Sequence, residues 1–346
     1  MKKVRLALIG AGVIGKRHLR AVGAINEIEL VAIADPFAAA KQLADDLSVP
    51  CFSDNATMLE TCKPDGVIVA TPTEHHLDPT LQSLDAGAHV LVEKPIMATI
   101  SEAEKVIDRS NSVQRHVLVG HQRRYYPQVH EAREIISSGK LGKLIAISGQ
   151  WNMRKHDNYY DPEWRKDWKA GPILTNLIHE IDSLRYICGD IVSIMAESSN
   201  IVQGYEKEDV AALLLRFKSG ALGSFILSDQ THSPWSWECA TGENAAFPKT
   251  AQNAIRFMGT EGSLDFPNLT LWNSPDAAAE WRNTLQSTVI EHSLEDAYIL
   301  QLKHFCKVIT GDEPPRITAS DATESLRATV GVFDAARQGT RLGMSC

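Results

Sequence analysis

The segment Val4-Arg-Leu-Ala-Leu-Ile-Gly10-Ala-Gly12-Val-Ile-Gly15-Lys-Arg17 constrains this chain more than any other stretch. An apolar run of strand character ends in G-x-G-x-x-G, and a helical pattern begins at once. Glycines at these spacings let the backbone turn tightly and approach a pyrophosphate. The helix behind them offers unpaired N–H groups and the positive end of its dipole. Glycine-rich turns are common, and it is the setting that gives this one meaning. A second apolar run, Glu29-Leu-Val-Ala-Ile-Ala34, ends in Asp35, roughly 20 residues beyond the glycines, where a ribose-binding carboxylate belongs. A carboxylate there accepts from ribose hydroxyls and repels a 2′-phosphate. Pro36 and Phe37 follow it, with no arginine to receive such a phosphate. The spacing therefore predicts a dinucleotide site on Gly10, Gly12 and Asp35, with NAD favoured over NADP.

The rest of the first third alternates strand and helix patterns, the mark of a parallel sheet with crossover helices. Helices are expected near Phe37–Leu47, Ala56–Thr61, His76–Ala86 and Ser101–Ser110. Strands are expected at 50–52, Gly66–Ala70, His89–Val92 and Val117–Gly120. The continuous apolar run Gly66-Val-Ile-Val-Ala70 suits a strand buried on both faces. Past about residue 140 strand patterns follow one another directly: Leu144–Met153, Ile194–Val202, Val210–Phe217, Ala221–Ser228, Ala254–Met258 and Ser263–Phe266. Lys218-Ser-Gly220 and Thr260-Glu-Gly262 suit hairpin turns. Helical patterns cover Leu174–Cys188, Leu294–Ile309 and Ala319–Arg337. The expected fold class is α/β, with a Rossmann doubly wound parallel sheet in residues 1–122. Residues 123–346 are expected to form an α+β domain around a large, mainly antiparallel, open-faced sheet.

A chain of 346 residues exceeds what one core usually supports, which agrees with two domains. The net charge of −8 argues against general nucleic-acid binding. Six cysteines (51, 62, 188, 239, 306 and 346) contain no C-x-x-C pair, which suits reduced thiols in a cytoplasm. Met1-Lys-Lys superficially resembles the start of an export signal. The apolar run after it is broken by Gly10 and Gly12 and followed by Lys16 and Arg17, which suits a first strand better. No stretch is apolar for long enough to span a bilayer. No H-x-x-x-H or H-E-x-x-H spacing marks a metal site.

Two segments carry candidate chemistry. Glu93-Lys94-Pro95 follows an apolar strand, so Lys94 sits at the same sheet edge as the glycine turn. A lysine there either caps the strand in solvent or holds a substrate hydroxyl and tunes its proton transfer. In Ile173–Tyr186, Leu174, Leu177, Ile178, Ile181 and Leu184 fall on one helical face. Thr175, His179, Asp182 and Tyr186 form a stripe beside it. A histidine there is either structural or an acid/base near neutral pH. The aromatic stretches Trp151–Arg154, Tyr159-Tyr160, Trp164–Trp168 and Ser233–Glu238 suit a sugar or polyol, with rings on its C–H faces. They equally suit loop packing or a subunit interface. Arg154 and Trp235 in these stretches, with Arg124 and Tyr126 from the segment Gly120–Pro127, are the candidate substrate contacts.

These segments together resemble the Gfo/Idh/MocA oxidoreductases, a family that includes glucose–fructose oxidoreductase and inositol dehydrogenases. The resemblance rests on Gly10–His18, Ala70-Thr-Pro-Thr73 with His76, Glu93-Lys-Pro95, Gly120–Pro127 and Asn176-Leu-Ile-His-Glu-Ile-Asp182. Glu93-Lys-Pro95 followed by the His179 helix is the specific part. The resemblance implies cofactor contacts from Val13, Ile14, Thr71, Pro72, His76, Glu93, Lys94 and Gln122, in addition to the glycines and Asp35. It implies that Lys94 orients the reacting hydroxyl, that His179 is the general acid/base, and that Thr175 and Asn176 border the substrate. It also implies a homodimer or homotetramer through the C-terminal sheet. Many members carry an aspartate four residues before the histidine, where this chain has Thr175, which brings no negative charge. Asp182 is an alternative source of that charge, or a partner for Arg185 or Arg327.

The expected activity is therefore hydride transfer between NAD and a hydroxyl-bearing carbon of a cyclic polyol, sugar or sugar derivative. Two alternatives share the same residues: an NAD-retaining hydrolase or lyase working through transient oxidation, and a non-catalytic NAD-binding sensor. A sensor has no need of both Lys94 and His179.

Overall fold

A computed structural model describes residues 3–275, 280–293 and 295–344. Leu294, the expected start of a helix, and Cys346 lie outside the described residues. The chain divides into two compact units, Met1–Tyr126 with Glu295–Leu326, and Pro127–Leu294 with Arg327–Cys346.

In the first unit, β1 (Val4–Ile9), β2 (Ile28–Ala34), β3 (Cys51–Phe52), β4 (Gly66–Val69), β5 (His89–Val92) and β6 (Val117–Val119) form one sheet. Its order is 3-2-1-4-5-6, and every neighbouring pair is parallel. The apolar residues of β4, β5 and β6 are fully buried, as expected of strands covered on both faces. Helices α1 (Val13–Gly23), α2 (Ala38–Asp46), α3 (Asn55–Cys62), α4 (Leu77–Asp85) and α5 (Ile100–Val113) alternate with the strands. Local chemistry marks where they start. The Asp54 side chain accepts from the Thr57 N–H at the head of α3, and Thr99 and Glu102 form a capping box at the head of α5. Strand order reverses between β1 and β4, and ligands bind at the carboxyl edge of such a switch point.

The sequence division at residue 122 differs from this arrangement. Helix Ala297–Thr310 returns to the first unit, where Leu302, Phe305 and Val308 share a buried cluster with Leu6, Leu8 and Ile68. Gly66 makes room for it, because a Cβ there would stand 2.7 Å from Ile309 Cδ1 and 3.0 Å from Phe305 Cζ. A pattern of periodicity shows that the late helix is amphipathic and is silent on which sheet it covers.

The second unit carries β7 (Leu144–Asn152), β8 (Ile191–Ser199), β9 (Val210–Phe217), β10 (Leu222–Ser228), β11 (Ile255–Gly259), β12 (Gly262–Phe266), β13 (Thr270–Asn273), β14 (Gln286–Val289) and β15 (Leu342–Gly343). They form one sheet in the order 14-13-12-11-7-10-9-8-15. Pairing is antiparallel except between β7 and β10, which run parallel at its centre. Along β9, Ala211, Leu213, Leu215 and Phe217 are buried while Leu214 is 57% exposed, so one face of the sheet is covered and the other open. Periodicity misses β13, β14 and β15, which are short or wholly exposed and show no alternation. It also places β8 late. Gly189, at φ +90°, ends the preceding helix and lets the strand begin at Ile191. Helix Pro127–Ser137 is likewise absent from the sequence expectation.

Candidate active site

The glycine turn lies at the carboxyl end of β1. Gly10 adopts φ +92°, and a Cβ there would stand 2.7 Å from the Ala70 carbonyl carbon and the Thr71 nitrogen. A Cβ on Gly15 would collide with the Gly10 carbonyl oxygen. Both glycines are thus required for the turn itself. Gly12 differs, since a Cβ on it would meet nothing within 4 Å. It forms the N-cap of α1, and no side chain caps that end. Val13 and Ile14 beside it are exposed. The first N–H groups of α1 therefore face open space, which suits a pyrophosphate. Asp35 borders the same turn. Its Oδ2 accepts from the Ala11 N–H at 2.7 Å and its Oδ1 from the Phe37 N–H at 2.9 Å, which fixes the carboxylate and leaves further lone pairs on each oxygen. These features fit the two ends of an adenosine diphosphate group.

Two buried histidines brace this edge, and no local pattern singles out the role of the first. His18, on the second turn of α1, lies 2.7 Å by Nε2 from Glu93 Oε1. Gly120 admits the carboxylate, because a Cβ there would come within 2.8 Å of it. Burial pushes the Glu93 carboxyl up, but the His18 hydrogen bond and the nearby His18 and Lys94 charges outweigh it and hold the group below its usual value. Glu93 Oε2 also accepts from the Lys94 N–H at 3.2 Å. The pair therefore ties the helix behind the glycines to the turn that presents Lys94, which is half-buried and precedes a cis Pro95. His76 makes the second tie. Its Nε2 lies 2.9 Å from the Thr71 carbonyl oxygen and its Nδ1 3.0 Å from that of Pro95. Both partners are acceptors, so only an imidazolium would satisfy both at once. Burial opposes that charge and keeps the pKa below its usual value. Glu93 and His76 are thus braces, whereas the Thr71 Oγ1 is engaged with the His75 carbonyl and Pro72 is exposed at the same edge.

Gln122 opens a 3₁₀ turn just past β6 and is buried. Arg124 in that turn is 2% exposed and forms an ion pair with Asp321, and Tyr126 is half-buried. The charge of Arg124 is thus matched within its own unit.

In the second unit, the candidate helix begins as a π-helical turn, Ile173–Leu177, and continues as the α-helix Ile178–Cys188. Widened turns of this kind occur frequently at functional sites. Leu177, Ile178, Ile181 and Leu184 are buried, while Thr175, Asn176 and His179 are half-buried on its other side. Asp182 departs from the expected stripe and is buried, and Arg185 pairs with Asp190 at 2.9 Å. Tyr186 OH lies 3.1 Å from His130 Nδ1 on helix Pro127–Ser137. Thr175 Oγ1 lies 2.9 Å from both the Gly171 carbonyl oxygen and Asn176 Oδ1.

The aromatic segments divide. Trp151 is buried and donates to Glu238, and Trp237 is buried and donates to Glu243, so these two rings are spent on packing, while Trp168 meets Phe333 edge-on and stays 47% exposed. Trp235 remains 42% exposed, and Arg154 is held near Asp157 at 3.2 Å. Sequence inspection overlooks a fully buried ion cluster. Lys207 Nζ lies 3.1 Å from Asp209 Oδ1, 3.1 Å from Asp229 and 3.1 Å from the Glu208 carbonyl oxygen. Tyr160 OH donates to Asp229 at 2.8 Å, and burial followed by the Asp229 charge pushes its phenol pKa up. Burial draws Lys155 down to about 8 against the pull of Asp229, and drives Glu208 up to about 7 against the Ile173 N–H it accepts. Among the described residues no group of three or more His, Cys, Asp or Glu is arranged to hold a metal, and no helix is long and apolar enough to cross a membrane.

The family model GFO_IDH_MocA, an oxidoreductase family with an NAD-binding Rossmann fold, matches residues 4–121, and the GFO/IDH/MocA C-terminal domain matches residues 129–265. The rhizopine catabolism protein MocA of Rhizobium meliloti is 28% identical over 94% of this chain and 93% of its own length. The NAD-dependent scyllo-inositol 2-dehydrogenase of Bacillus subtilis is 26% identical over 97% and 95%. Among solved structures, the WlbA dehydrogenase of Bordetella pertussis, in complex with NADH and UDP-GlcNAcA, shares the fold. Its TM-score is 0.79 at 23% identity, with all of both chains covered.

Proposed function

The chain belongs to the GFO/IDH/MocA oxidoreductase family, and on that premise we propose that it oxidises a hydroxyl of a cyclic polyol, sugar or sugar derivative, using NAD. The observation that carries this reading is the Glu93–His18 pair, which locks the turn presenting Lys94 onto the helix that opens the glycine cradle. NAD, when bound, supplies the hydride acceptor. Gly10, Gly12, Val13 and Ile14 are assigned its pyrophosphate, Asp35 its adenosine ribose, and Thr71, Pro72 and Gln122 the rest of the edge. Lys94 donates to the reacting oxygen and steadies the charge that grows on it. His179 takes the hydroxyl proton, because imidazole accepts a proton near neutral pH. Thr175 and Asn176, the half-buried polar neighbours of His179, border the substrate, with Arg154, Tyr126 and Trp235 as further contacts. Arg124 is left out, since Asp321 already matches its charge.

The test is purified protein with NAD or NADP against inositols, aldoses and sugar acids, followed by absorbance of the reduced cofactor. Reduction with NAD and one compound class is expected. Product formation without reduced cofactor would instead favour transient oxidation, and NAD binding with silence across the panel would sink the dehydrogenase reading.

We place a second copy of the chain on the open face of the nine-stranded sheet. Register puts Met195, Leu214, Leu222 and Ile226 on that face, and the last three are 57%, 51% and 51% exposed. A depression of about 460 Å³ bordered by Met195, Leu214, Ile226 and Arg256 lies on it. Apolar area of this kind is covered in association. Light scattering is expected to give a dimer or tetramer, and Leu214→Glu with Ile226→Glu to give monomers of unchanged helix content. An unaltered mass in the double variant would move the interface elsewhere.

A further inference from the structure

We propose that Glu208 is a positioning residue whose carboxylate anchors the π-helical turn carrying Thr175 and Asn176 and leading into His179. The inference rests on the role given to His179 above, but its geometry lies wholly within the second unit. Glu208 Oε1 accepts the Ile173 N–H at 2.7 Å in a buried setting. That N–H is the first of the turn and belongs to the set a helix cannot satisfy internally. Gly171 is shaped around the same group, since a Cβ on it would overlap both carboxylate oxygens. The Gly171 carbonyl oxygen in turn accepts from the Thr175 N–H at 3.1 Å and from its hydroxyl at 2.9 Å. Glu208 is itself immobilised. Lys207 Nζ donates to its carbonyl oxygen, and Asp209, the next residue, is pinned by Lys207 and by the Val202 and Gln203 N–H groups. A rigid buried ion cluster thus ends in one carboxylate aimed at the start of the candidate catalytic segment, in the manner of a supporting shell.

Glu208→Ala in the full chain is expected to speed amide exchange across residues 171–178 by about 10-fold or more, with exchange in residues 4–121 unchanged. On a substrate found by the panel, kcat should fall about 10-fold or more while KM moves less than about threefold. Glu208→Gln, which keeps an acceptor for the Ile173 N–H, should recover most of both. If Glu208→Ala is insoluble, Gly171→Ala displaces the carboxylate without removing it and should give the same exchange pattern. Wild-type exchange and kcat in Glu208→Ala would overturn the proposal, as would a glutamine variant as impaired as the alanine one. Exchange is read without substrate, so a silent panel overturns the dehydrogenase reading and leaves the anchoring result to stand or fall separately.

Discussion

His179→Ala is expected to lower turnover by roughly 100-fold or more, the scale of losing a general base, while NADH binding followed by fluorescence stays within about twofold. Lys94→Ala should cost a comparable factor, because in the proposed reaction the hydroxyl then lacks the donor assigned to orient it and steady its developing charge. In the proposed reaction the two substitutions address one oxygen and one proton, so the double variant should be only slightly worse than the more impaired single one. Independent, multiplying losses would show that the residues do not act as a unit. Unchanged turnover in His179→Ala would remove it from the mechanism.

Lys207→Met should be the most destabilising single change in the second unit. The side chain is wholly buried and lies between the equally buried Asp209 and Asp229. Removing it leaves two carboxylates with much of their compensation gone, at a cost of about 3–5 kcal/mol. All seven tryptophans fall between residues 151 and 281, within the second unit, so their fluorescence reports its unfolding separately from the first. With a urea slope of about 1–3 kcal/mol/M, the fluorescence midpoint should drop by more than about 1 M. A midpoint shift below about 0.3 M would mean that the cluster is not an ionic lock.

The first unit was largely legible because its signals are local. Gly10 and Gly15 are required by a turn that closes within six residues, and Gly12 opens the helix behind it. The strands around the turn are apolar throughout since both faces are covered. The His179 helix was legible as an amphipathic pattern, but its π turn and the burial of Asp182 were not. Arg124 illustrates the limit: its partner Asp321 is 197 residues away, and no period or spacing links the two.

Residue order alone determined the dinucleotide cradle, the α/β alternation and the presence of Lys94 and His179, because each depends on neighbours in the chain. Tertiary structure decided which helix covers the first sheet, which carboxylates are spent on bracing and which charges are buried. It paired His18 with Glu93 across 75 positions and Glu208 with Ile173 across 35. The physical reason is that a buried polar group must find its partner wherever the fold brings one.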